Sequence, residues 1–187
     1  MSTDLGEALL RIARNAIGSR FELPAAPEPE HEALARPGAT FVTLTRNGDL
    51  RGCIGTLEAH RPLGVDVREN ALAAAFRDPR FEPLQREELP GTRIEVSLLT
   101  PPEFMSFADE KDALAQLRPN VDGVILVYNC QRATFLPQVW ESLADPRQFM
   151  AHLKRKAGLA PDFWHDNVML ARYQVTKWKE PEAAWAT

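Results

Sequence analysis

At 187 residues the chain suits one domain or two closely packed subdomains, and its 44% hydrophobic and 26% charged residues are those of a folded globular protein. A net charge of −4 excludes the basic excess by which nucleic-acid binders neutralise phosphates, so no nucleic-acid partner is expected. Two cysteines, Cys53 and Cys130, exclude a disulfide framework, and no stretch approaches the ~20 apolar residues of a membrane span.

Met1-Ser2-Thr3-Asp4 has no basic stretch leading into an apolar run, so a cytoplasmic address is expected. Asp4 to Ile17 reads as the first helix, capped by Asp4 and ended by Gly18, with Leu5, Leu9, Ile12 and Ala16 on one stripe. Pro24, Pro27 and Pro29 make an extended connector, and a short helical turn is expected at 30–35. Thr40–Arg46 alternates β-formers and meets Asn47-Gly48, the dipeptide suited to a type I′ turn, so 49–57 is the returning strand.

Pro62 opens a second helix reaching Phe76, and Asp78–Leu84 is a proline-bounded irregular segment. Thr92–Thr100 is a strand stopped by Pro101-Pro102. A short helix at 111–117, a strand at 123–129 and a return at 133–136 follow. Pro137 begins a helix to Leu143, and Asp145-Pro146 starts a longer one closed by Gly158. Met169–Lys179 is a last strand, with fraying expected after Pro181. Hairpins without regular βαβ alternation argue an α+β fold of mainly antiparallel sheets flanked by helices.

The segment Leu50-Arg51-Gly52-Cys53-Ile54-Gly55 carries the most chemistry. Strand alternation puts Arg51, Cys53 and Gly55 on one face, with the first two Cα atoms roughly 6.5–7 Å apart. A guanidinium there favours the thiolate, the nucleophilic form of cysteine. Gly52 and Gly55 cost conformational entropy, a cost tolerated where a ligand or another backbone comes close. The plainer alternative makes Cys53 a small apolar filler.

Glu95 stands in the apolar strand 94–99, either paired with Arg51 or acting as a general acid or base. Gln138 begins a helix, where backbone amides hold anions, though capping its own helix is the simpler role. His152 lies on a helix face with Lys156. The basic run His152–Lys156 offsets a helix C-terminus rather than marking a nucleic-acid site. Glu58 and His60 are too few for zinc, and no phosphate loop or dinucleotide fingerprint is present, so no metal or cofactor is expected.

The Leu50–Gly55 hexapeptide, together with 75–81, 94–101, 134–141 and 156–159, resembles the AMMECR family from about the first helix to Tyr173. The resemblance implies an α+β fold of two subdomains, the larger about 1–48 and 91–187 and the smaller about 49–90, with a cleft near Arg51 and Cys53. Similar bacterial and archaeal proteins are grouped with a Memo-like protein and a radical S-adenosylmethionine protein in the AmmeMemoRadiSam system, whose protein A this chain resembles. The family lends no established catalytic residue.

Two readings therefore stand. In one, the chain is an accessory or binding component whose Leu50–Gly55 cleft, with Gln138 and His152, meets a partner, peptide or small molecule. In the other, it is an enzyme with Cys53 as nucleophile, assisted by Arg51 and Glu95. The absence of a complete catalytic constellation favours the first.

Overall fold

The structure is a computed structural model that describes residues 4–182, 184 and 185. Met1–Thr3 and the last tail positions, on which the leader and fraying expectations partly rest, lie outside the described residues.

Two compact units divide the chain: the residues to Leu99 with those from Thr176 form the first, and Thr100–Val175 forms the second. In the first unit, α1 (Leu5–Ser19) starts where the Asp4 carboxylate accepts the Gly6 and Glu7 amides. It runs past Gly18, which is buried inside the last turn rather than ending the helix. Strands β1 (Ala39–Arg46) and β2 (Asp49–Gly55) form the expected hairpin, with Asn47 at φ 51° and Gly48 at φ 90°. Both central residues take positive φ, as a type I′ turn demands. The helix α2 (Leu63–Phe76) and strand β3 (Thr92–Leu99) complete the segment before Thr100.

In the second unit, β4 (Glu103–Phe104), α3 (Glu110–Gln116), β5 (Gly123–Tyr128), β6 (Gln131–Phe135), α4 (Pro146–Lys156) and β7 (Met169–Tyr173) follow in order. The predicted helix from Pro137 is only a 3-10 segment, Pro137–Glu141. The predicted last strand is two strands: β7 and then β8 (Val175–Lys179), which returns to the first unit's sheet. They part at Gln174, whose backbone turns aside to pair with Thr100 through both its N–H and its carbonyl.

The sheets run β2-β1-β3-β8 and β4-β7-β5-β6, and β1 pairs antiparallel with β2 and β3. One face of the first sheet presents Val42, Leu44, Ile94 and Val96, all fully buried, to the apolar stripe of α1 and to α2. Each such side chain contributes about 1.5–3 kcal/mol of burial. The second core gathers Val124, Leu126 and Leu170 with Phe149, Leu153 and Trp140, the indole lying 3.8 Å from the Phe149 ring in a parallel stack.

The boundary expected at about 49–90 is corrected. β2 hydrogen-bonds along the length of β1 and α2 packs on both, so residues 49–90 share a core with 4–48. The division falls instead at Leu99/Thr100 and Val175/Thr176. Of the described tail residues, Ala184 accepts at its carbonyl from the Arg14 guanidinium, which sits 4.7 Å over the Trp185 ring.

Candidate functional site

The hexapeptide occupies β2, the edge strand of its sheet. Its register carries a bulge: Leu44 faces Gly52 and Thr45 faces Leu50, so Arg51 is an extra residue on β2. The bulge breaks the alternation that joined Arg51 to Cys53 in the sequence reading. Gly52 and Ile54 keep to the core face opposite Leu44 and Val42, while Cys53 pairs with Thr43 and Gly55 with Phe41. Leu50 falls opposite Thr45 and is 45% exposed.

Arg51 leaves the Cys53 row. Its Nε and Nη2 grip the two Glu88 oxygens at 2.9 and 3.0 Å, and Nη2 also donates to the Glu82 carbonyl at 2.8 Å. This fork holds Glu88 well below the usual carboxylate range, at about 2. The pairing of Arg51 with Glu95 offered by the sequence does not occur. Glu95 instead faces Thr43 from β3, giving a row Cys53–Thr43–Glu95 across three strands on the face away from the core. All three are half-buried, and the Cys53 sulfur lies 3.2 Å from the Thr43 hydroxyl.

The glycines are there for packing, not for an open floor. A Cβ on Gly52 would meet the Ala74 carbonyl oxygen of α2 at 2.1 Å. One on Gly55 would strike the Phe41 ring at 2.2 Å, so the ring covers the space beside the thiol.

Sequence reasoning missed what holds Cys53 in place. The Cys53 N–H donates to Asp78 Oδ2 at 2.9 Å, and Arg80 Nη2 donates to the Cys53 carbonyl at 3.3 Å. Asp78 and Arg80 are themselves paired at 2.7 Å. The pair stands where another strand would bond, satisfying both backbone groups on the free edge. Arg80, with help from the Cys53 amide, holds the Asp78 carboxyl far below its ordinary value. The signal was Asp78-Pro79-Arg80, where the Asp78 side chain also takes the Arg80 amide at 3.1 Å as an Asx turn.

A second missed group is wholly internal. Asp66, fully buried on α2, accepts from the Thr40 amide and hydroxyl, the Thr56 hydroxyl, Arg61 Nε at 2.8 Å and Asn70. Every donor is satisfied, so the cluster pins α2 to the start of β1 and the end of β2.

Gln138 and His152 belong to the other unit. Both are exposed, and among the described residues neither side chain makes a hydrogen bond. Gln138 stands on a five-residue 3-10 segment, not at the head of an α-helix. Among the described residues no group of three His, Cys, Asp or Glu side chains could hold a metal, and no helix is long and apolar enough to cross a membrane.

The AMMECR1 family model matches residues 10–178, from α1 to β8. The chain belongs to the AMMECR1 family. An AMMECR1-type relative from Sulfolobus acidocaldarius is 37% identical over 96% of this chain and 83% of its own length. Another, from Methanothermobacter thermautotrophicus, is 38% identical over 89% of this chain and 88% of its own. The crystal structure of an uncharacterized protein from Pyrococcus horikoshii superposes with a TM-score of 0.78 at 29% identity, covering 97% of this chain and 95% of that one. The α+β fold expected from the AMMECR resemblance is thereby established.

Proposed function

We propose that the protein is a binding component of its family, working with a Memo-like and a radical S-adenosylmethionine protein, and that the Cys53–Thr43–Glu95 row meets its ligand or partner. One observation carries this reading: the two guanidinia of this edge, Arg51 on β2 and Arg80 on the Cys53 carbonyl, are each paired with a carboxylate, Arg51 with Glu88 and Arg80 with Asp78. A nucleophilic cysteine needs a general base beside it or uncompensated positive charge. Glu95 stands two strands away, about 10 Å between Cα atoms, with Thr43 between them.

What the row offers is recognition. A hydroxyl, a half-buried thiol, a carboxylate and the Phe41 ring are presented on a sheet whose edge is locked by Asp78 and Arg80. A peptide or small polar molecule is met there by side chains already held in position.

The test is reconstitution by size-exclusion chromatography of the purified chain with a Memo-like and a radical S-adenosylmethionine protein from the same organism. Co-elution is expected, surviving Cys53→Ser and lost in Glu95→Lys. Failure of both partners to co-elute removes the partner reading. Loss through Cys53→Ser alone would favour the alternative, in which Cys53 itself does the chemistry.

A further inference from the structure

In the Thr100–Val175 unit, α3 and α4 bound a cavity of about 590 Å³. That lies within the roughly 300–1,000 Å³ of small-molecule sites. Lys154 forms part of its wall, and that side chain is only 3% exposed. Its ammonium donates to Glu110 Oε1 at 2.5 Å and lies 3.5 Å from the Pro161 carbonyl and 5.6 Å from the centre of the Trp164 ring. A buried ion pair is a poor way merely to tie two helices, because desolvation offsets its attraction. An ammonium also has three donors, and among the described residues two are engaged, by Glu110 and the Pro161 carbonyl.

The rim adds charge. Lys111 and Arg147 are exposed cations, and among the described residues neither side chain has an ion-pair or hydrogen-bond partner. Asp145 accepts the Arg147 backbone amide at 2.9 Å as the cap of α4. The lining therefore sets Lys111, Arg147 and Lys154 against Glu110 and Asp145, a net of one positive charge. Leu114, Ala115, Pro146 and Pro161 supply the apolar walls.

We propose that this cavity binds a small organic carboxylate with an apolar body. The anion meets Lys154, Lys111 and Arg147, and the body lies along Leu114 and Pro161. A single excess positive charge matches a monoanion better than a phosphate dianion. None of this depends on Cys53 or on the partner reading above.

The experiment is an NMR titration of the full chain with phenylacetate, benzylamine and phenyl phosphate, following backbone amides. Phenylacetate is expected to shift Leu114, Ala115 and Arg147 saturably at millimolar concentration, and benzylamine to leave them unmoved. The double variant Lys111→Ala/Arg147→Ala, both exposed sites, should weaken binding about tenfold. Glu110→Gln keeps the side-chain shape but removes the competing carboxylate, and should tighten it. A response to benzylamine equal to that for phenylacetate overturns the proposal, as does no saturable shift or stronger binding of phenyl phosphate. If the Lys154–Glu110 pair only pins helices, Glu110→Gln lowers stability and leaves affinity unchanged, which also overturns it.

Discussion

The glycines of the hexapeptide report their purpose through what stands beside them. Gly52 abuts a backbone carbonyl of α2, which cannot step aside without moving the helix. Gly52→Ala is therefore expected to lose about 1–3 kcal/mol in urea unfolding, as overpacking does. Gly55 abuts only the Phe41 ring, and Gly55→Ala should lose less because a side chain has somewhere to turn. Glu88 gives a second residue-scale prediction. Its folded value of about 2 lies below the ordinary 4.5, so the unfolded chain takes up the proton first as pH falls. The contribution of Glu88 is complete above 4.5 and is lost between there and about 2. Chemical denaturation across that window should show a shallower acid loss in Glu88→Gln than in the parent chain. Equal slopes would mean that the Arg51 fork does not persist in solution.

At the scale of elements, the free edge of β2 and the seat of α2 each depend on one aspartate. Asp78→Ala removes the acceptor for the Cys53 amide and the counter-charge of Arg80. Exchange of that amide should quicken about tenfold beyond any global loss, the equivalent of one hydrogen bond of ordinary strength. The Val42 amide, on the central strand, should follow global stability alone. Asp66→Ala strands the Thr40 amide and the Thr40 and Thr56 hydroxyls, takes the carboxylate from Arg61 and leaves a buried void, and should cost about 3 kcal/mol or more by thermal or urea unfolding. Asp66→Asn, which keeps acceptor and volume, should recover part of that. These two aspartates also show where sequence reading stopped. Asp78 was visible as part of a proline-bounded segment, but nothing local says that its carboxylate reaches the backbone of a strand 25 residues earlier.

At the scale of the whole molecule, the chain enters the second unit at Thr100 and leaves it at Val175, and that unit has its own core around Phe149 and Leu126. The fragment Thr100–Val175 is expected to unfold cooperatively on its own, followed by the near-ultraviolet signal of Trp140 stacked on Phe149. A featureless melt would show that its core is incomplete without the rest of the chain. Local chemistry by itself determined the Asp4 cap, the Asn47-Gly48 hairpin, the proline connector and the mixed α+β character, because each depends on neighbours a few residues apart. Family membership was likewise written in the hexapeptide and its companion stretches. Tertiary structure alone decided the bulge that parts Arg51 from Cys53, the choice of Glu88 as its partner, the Asp78–Arg80 seal and the split of the last strand between two sheets. Strand register and ion pairing over long sequence separations are settled by which surfaces meet, and periodicity along one strand carries no record of that.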